Sequence, residues 1–205
     1  MKLEDWLIDK IIDTKIHVVA IGGAADLGKS YLAEQLVGKC EREGVSATCL
    51  GLDSYLLPRD VRVKRELSGY DPRSHDLDNA KRDIERLLSG ETIDYYEYMH
   101  DTGRRAERPI SLEPASRIIV EGLHSMHPLI APFVDFSIFI FTSDKLLCRI
   151  RGEADLRKRK LTEIEADRHE RRELEHYYKY VHSYKDSCDV RLYLDRRWHY
   201  QFLDV

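Results

Sequence analysis

The chain has 205 residues, with 42% hydrophobic residues, 34% charged residues and a formal net charge of −4. That length suits one domain with a small inserted lid, and the apolar share is too high for a disordered chain. The acidic balance disfavours a general nucleic-acid binder, and no apolar run reaches the roughly 18 residues that a membrane-spanning helix needs. The opening MKLEDWLIDKIIDTK carries acids through its apolar stretch, which is not the pattern of a signal peptide. Cys40, Cys49, Cys148 and Cys188 form no CxxC pair, so the expectation is reduced thiols in a cytoplasmic protein.

Leu3, Trp6, Leu7, Lys10 and Ile11 fall at helical spacing and predict an amphipathic helix within 1–14. His17–Ile21 is a short apolar, β-branched run that suits a buried parallel strand. After a break at Gly22–Ser30, Leu32, Leu36 and Val37 restore the helical period from Lys29 to Glu43. A second strand is expected over Ala47–Leu52. The polar stretch 54–75, punctuated by Pro58, Gly69 and Pro72, reads as loop. Leu77–Leu88 reads as a helix stopped by Gly90, and Tyr95–Tyr98 as a short strand or an edge hairpin. Further strands are expected at Ile118–Val120, Phe136–Phe141 and Val190–Leu194, with charged helices from Asp144 to about Lys160 and from Thr162 to about Tyr184. Strands alternating with helices predict an α/β fold with a mostly parallel sheet, in one domain spanning 1–205.

The sharpest motif is Gly23-Ala24-Ala25-Asp26-Leu27-Gly28-Lys29-Ser30, which fits GxxxxGK[ST]. A chance match is expected in on the order of one in a hundred chains of this length. Here the motif also stands between an apolar strand and an amphipathic helix. In that setting the main-chain amides of Gly23 to Tyr31 converge on polyphosphate oxygens, Lys29 pairs with the β- and γ-phosphates, and Ser30 ligates Mg2+. The bland alternative is a strand-to-helix turn with a surface lysine. Two features favour it: the loop interior lacks glycine, and Asp26 brings a negative charge towards a negative ligand.

Ligands of open α/β sheets bind beyond the carboxyl ends of the strands. Asp53 and Glu121 each follow an apolar run at such an end. Phosphoryl transfer needs a metal and a group that accepts the attacking hydroxyl's proton. Asp53 is the candidate base, and Glu121 joins Ser30 at the metal. Either acid alone would more simply be a helix cap or a solvated loop residue.

Taken together, the motifs resemble the uridine kinase and phosphoribulokinase group of P-loop kinases. The resemblance runs from about His17 to Leu194. Its markers are the phosphate loop, Leu52-Asp53-Ser54-Tyr55 with Pro58-Arg59, and Gly69-Tyr70-Asp71-Pro72 leading to His75-Asp76. Tyr98-Met-His100-Asp-Thr-Gly103 and Ile119-Val120-Glu121-Gly122-Leu123-His124 complete the set. The resemblance implies a P-loop NTPase-type three-layer αβα sandwich with a helical lid. It also implies ATP and Mg2+ as cofactors, and transfer to the 5′-hydroxyl of uridine or cytidine. Asp53 would then be the base, Asp71 the residue gripping the ribose hydroxyls, and Tyr98 the aromatic of the nucleoside pocket. Tyr55, Arg59, His100 and His124 join them as acceptor-binding candidates.

The chain departs from the uridine kinase pattern at Ala24 and Leu27, at Met99-His100, and at Gly103, which stands where a base-reading histidine is found. The Tyr98 and Glu121 segments look more like phosphoribulokinase. A sugar phosphate or another small alcohol is therefore the alternative acceptor, with Arg59 and Arg62 meeting an acceptor phosphate. A nucleotide-binding regulator without turnover is a further reading, motivated by Asp26 and Leu27. The expected partner is a small molecule, with neither nucleic acid nor membrane. Relatives often assemble as homo-oligomers, although no self-complementary surface is legible.

Between Arg149 and Lys160 six basic residues stand against two acids. In the family this region, about 145–165, is a lid over the phosphates. Arg149, Arg157 and Arg159 are the lid arginines expected to reach the nucleotide; a solvated helix face is the ordinary meaning of such a run.

Overall fold

The computed structural model describes residues 3–13, 15–157, 162–196 and 199–203. Helix α1 (Leu3–Ile11) precedes strand β1 (Val18–Gly23), which is buried along its whole length. Helix α2 (Lys29–Arg42) follows the phosphate loop, and strand β2 (Ala47–Gly51) leads directly to a 3-10 turn over Leu52–Tyr55. Helices α3 (Arg59–Lys64) and α4 (Leu77–Leu88) come next, then the short strands β3 (Ile93–Tyr95), β4 (Tyr98–Met99), β5 (Arg104–Arg105) and β6 (Ile110–Leu112). Strands β7 (Arg117–Glu121) and β8 (Phe136–Phe141) precede helices α5 (Asp144–Arg157) and α6 (Glu163–Tyr180). Strands β9 (Val190–Arg196) and β10 (His199–Leu203) close the described chain.

The main sheet has the order β10-β9-β8-β1-β7-β2, parallel throughout except for the antiparallel β9–β10 pair. Its central strands are covered on both faces. Ile119 belongs to one buried set with Leu7 and Ile11 of α1 and Leu32 and Leu36 of α2. Its neighbours Ile118 and Val120 belong to another, with Ala80, Ile84 and Leu87 of α4. A period of two sends successive side chains to opposite faces, so a strand buried on both reads as a continuous apolar run. The outcome is the expected α/β architecture of a mostly parallel sheet between helical layers.

Helix α4 spans the residues its spacing predicts. Asp76 caps it by accepting the N–H of Asn79 at 3.2 Å, and Gly90 (φ 86°) follows its end. At the end of β1 the neighbouring strand comes very close. A β-carbon on Gly23 (φ 136°) would lie 2.1 Å from the carbonyl oxygen of Ile140 in β8. Only glycine fits there, and its fit lets β1 run straight into the phosphate loop.

Several elements differ from the sequence reading. The stretch 54–75 is not featureless: it holds α3 and a 3-10 turn at Pro72–Ser74. Tyr95 and Tyr98 fall in different strands, because β3 pairs with β6 and β4 with β5. The second charged helix ends at Tyr180, with a 3-10 turn over His182–Asp186, and β10 adds an antiparallel edge. Among the described residues no helix is long and apolar enough to cross a membrane.

Candidate active site

The phosphate loop leaves β1 and enters α2 through Gly28, which sits at φ 85° with no side-chain cap on the helix. The first-turn amides of a helix have no intrahelical partner, so they point outward and favour an anion. Two tyrosines brace the loop. The Tyr70 hydroxyl accepts the N–H of Ala25 at 3.1 Å, and the Tyr200 hydroxyl of β10 donates to the carbonyl of Leu27 at 2.9 Å. Lys29 folds back, its Nζ donating to the Ala24 carbonyl at 2.9 Å. Burial pulls the Lys29 pKa below the ordinary lysine value, and the carboxylates of Glu121, Asp53 and Asp26 oppose that shift. Ala24 and Leu27 are buried in the core, whereas Tyr31 is exposed at the cleft.

The ends of β2 and β7 bring both predicted acids to this point. The Ser30 hydroxyl donates to Glu121 Oε1 at 2.8 Å. Burial and the neighbouring Asp53 charge raise the Glu121 pKa, and Lys29 opposes them. Asp53 stands in the 3-10 turn after β2 with its carboxylate 3.2 Å from His100 Nε2. Burial alone would raise its pKa. The hydrogen bond and charge of His100, with His75 and Lys29, outweigh that and hold it down at about 2.

Asp26 does not face the site as a bare charge. Its carboxylate pairs with Arg151 Nη1 at 3.0 Å, and Arg151 Nη2 pairs with Glu173 at 2.9 Å. That pairing bears on one of the two features that made the loop look unfit for phosphate, the charge of Asp26. It also singles out a different arginine of the expected lid. Arg149 and Arg157 are exposed on α5 and do not line the cleft, while Arg159 lies outside the described residues. Arg151 of α5 and Arg172 of α6 line it instead. Sequence reasoning counted Arg151 in the basic run but had no means of ranking it, because only packing shows which helical face meets the loop.

The cleft has a volume of about 990 Å3 and extends from the phosphate loop past Asp53 to α3 and β4. Arg59, Arg62, Tyr98 and His100 line that far side. Arg59 donates to the carbonyls of His100 and Asp101, and its own N–H to Gly103. Arg62 donates to the Leu57 carbonyl at 3.0 Å and to the Tyr98 hydroxyl at 2.8 Å. Three predicted acceptor contacts are not brought to the cleft. The Tyr55 hydroxyl turns away to Asp83 at 2.8 Å. Asp71 is buried and engaged by Arg73 through both carboxylate oxygens, which holds its pKa down at about 2. His124 is fully buried, against His75 and Tyr184.

His75, missed by the sequence reading, lines the cleft beside that buried histidine. Burial lowers the His75 pKa to about 4, and burial with the nearby His75 and His127 lowers that of His124 to about 2. Both rings are therefore neutral in the folded chain and protonate in the unfolded chain below about pH 6.5. The unfolded state binds more protons, so stability falls as pH falls. Urea titrations between pH 6.5 and 5 should show a slope approaching about 2.7 kcal/mol per pH unit for the pair, above where ordinary carboxylates titrate. His75→Asn should roughly halve it, and a flat wild-type profile would contradict the two buried neutral rings.

A strand, a glycine-flanked loop, a buried lysine on the following helix and acids at two adjacent strand ends are the parts of a P-loop nucleotide-binding site. The sequence pattern of the Phosphoribulokinase / Uridine kinase family matches residues 18–194, and the chain belongs to that family. A phosphoribulokinase from Synechocystis sp. is 26% identical over 146 residues, which are 71% of this chain and 43% of that protein. The chain thus aligns with less than half of that longer relative. A uridine kinase from Leuconostoc citreum is 32% identical over 149 residues, 69% of this chain and 70% of that one. The phosphoribulokinase structure from Rhodobacter spheroides shares the fold, with a TM-score of 0.69 at 15% identity, over 88% of this chain and 71% of that one. The family implies ATP and Mg2+ in general, and the residues present fit both. The outward amides and Lys29 suit a polyphosphate. Ser30 with Glu121 offers the small oxygen donor set that suits Mg2+, which draws its other ligands from water and phosphate.

Proposed function

We propose that the chain transfers the γ-phosphoryl group of ATP to a hydroxyl of a small acceptor held beside Asp53, and that this acceptor carries an anionic group, as a sugar phosphate does. The loop amides and Lys29 hold the β- and γ-phosphates. Ser30 and Glu121 would hold Mg2+, which supplies charge neutralisation at the transferred group. The acceptor oxygen forms the new bond to phosphorus, the bond to the β–γ bridging oxygen breaks, and the acceptor proton goes to Asp53. His100 fixes the carboxylate's orientation.

The observation that carries the acceptor reading is the charge of the far side of the cleft. Among the described residues, the hydrogen-bond partners of Arg59 and Arg62 are carbonyls and a phenol oxygen, so neither guanidinium is hydrogen-bonded to a carboxylate, although Glu66 and Asp53 line the same cleft. An anionic group on the acceptor would give them a charged partner, and a guanidinium fork fits phosphate well. Phosphorylation of uridine or cytidine at the 5′-hydroxyl is the second reading, supported by the identity with the Leuconostoc citreum uridine kinase. It requires Asp71 to leave Arg73. It also lacks a base-reading side chain at 103, where a β-carbon would lie 2.7 Å from Arg59 Cβ.

An ADP-release assay over an acceptor panel tests this. Pentose phosphates should exceed the matching unphosphorylated sugars in kcat/KM by about 100-fold or more, since the two guanidinium groups otherwise have no hydrogen-bonded anion. Turnover of uridine or cytidine with none for any anionic acceptor would defeat the proposal in favour of the second reading.

A further inference from the structure

Asp26 is the only residue of the phosphate loop with the same sign of charge as a phosphate. Its backbone lies at φ 63°, a left-handed conformation that glycine adopts freely and aspartate tolerates. Its carboxylate is 8% exposed and accepts from Arg151 Nη1. Arg151 is itself 7% exposed, donates its other terminal nitrogen to Glu173, and lies 5.8 Å from the centroid of the Tyr70 ring. A single buried guanidinium thus joins the loop to α5 and α6. Asp26, Arg151 and Glu173 all line the cleft. A guanidinium recognises carboxylate and phosphate oxygens with the same planar fork. Any phosphate seated in the loop therefore meets an Arg151 that a loop carboxylate already holds.

We propose that Asp26 is an internal competitor of the nucleotide's phosphates for Arg151, a positioning residue that keeps the loop's affinity low enough for the product nucleotide to leave. The inference rests on the nucleotide reading of the loop given above. Bound phosphates take the Nη1 of Arg151 in exchange for Asp26, and the return of Asp26 to Arg151 assists release of ADP.

Calorimetry and stopped-flow release with MgADP test this. Asp26→Asn, which keeps the shape and removes the charge, should lower the ADP Kd by about tenfold, mostly through a slower dissociation rate. Asp26→Gly suits φ 63° and should shift in the same direction, which guards against a folding defect in the first variant. The triple variant Asp26→Asn, Arg151→Gln, Glu173→Gln leaves no charge of the trio unpaired and should lose the gain. If the triple variant binds ADP as tightly as Asp26→Asn does, simple relief of repulsion explains the effect and the competition is refuted. Unchanged or weaker ADP binding by Asp26→Asn, with a wild type that binds, overturns the role of Asp26 alone. A wild type with no affinity for ADP overturns the nucleotide reading and this one with it.

Discussion

Replacing Asp53 by asparagine should lower turnover by about 1000-fold while the affinity for MgATP stays near the wild-type value. The amide keeps the size of the side chain but cannot take a proton. Asp53 lines the cleft together with Lys29, in the turn that follows β2, and in the proposed reaction its loss acts on the chemical step. With a pKa near 2 the carboxylate is a weak base before reaction. That is compatible with phosphoryl transfer, whose loose transition state asks for little proton transfer until the new bond is well advanced. The depressed pKa also fixes the pH behaviour. Asp53 stays ionised down to about pH 2, so it does not set any acid limb of the rate profile above that. Its contribution to stability is fully present above the unfolded carboxyl value of about 4 and drains as pH falls towards 2. Steady-state kinetics with calorimetric MgATP titration decide the matter, and a variant that turns over as fast as the parent refutes the assignment.

The second large effect is expected at Lys29. Lys29→Met should reduce turnover by about 100- to 1000-fold and weaken MgATP binding at least about tenfold. The ammonium is buried and feels Glu121, Asp53 and Asp26 together. Without it, the carboxylates of Glu121 and Asp53 face a site meant for phosphate with no ammonium between them, and repulsion acts in both the bound state and the transition state. Lys29→Arg should not restore activity, because the guanidinium fork does not fit a pocket shaped for an ammonium that reaches the Ala24 carbonyl. Far-UV circular dichroism establishes that the variants fold. A folded Lys29→Met protein with wild-type MgATP affinity would sink the phosphate-loop assignment.

The parts of this molecule that were legible in the sequence are those governed by local pattern. β1, β7 and β8 are buried on both faces, so their centres appear as near-continuous apolar runs. α2 and α4 carry one apolar face each, so their period is visible. The phosphate loop is legible because glycine, lysine and serine must stand in fixed order where a strand meets a helix. Helix α3 was not legible: it has six residues and buries none of them, so Arg-Asp-Val-Arg-Val-Lys shows no amphipathic period. The placement of Arg151 depends on how α5 packs over the loop, and one arginine in a basic run looks like another. Tyr55 and Asp71 sit in motifs that the family resemblance assigns to the acceptor, yet tertiary partners decide where their side chains point. Asp83, on α4, takes the first, and the adjacent Arg73 takes the second. Tyr200 reaches the loop from β10, an edge strand of the main sheet that is distant from the loop in sequence.

The strand ends that deliver the two carboxylates meet at glycines. A β-carbon on Gly122 would lie 2.7 Å from Leu52 Cβ, and one on Gly51 would lie 3.3 Å from Glu121 Oε1. The offset between Asp53, the proposed proton acceptor, and Glu121, the proposed metal ligand, is therefore a property of the paired main chains of β2 and β7. The segments that shape the far wall, α3 and the β4–β5 hairpin, lie outside that sheet and meet it through His100, whose ring stands 3.2 Å from the Asp53 carboxylate. In the proposed reaction, substitutions in that wall away from His100 would change what is held beside Asp53 and leave the spacing of the two carboxylates intact.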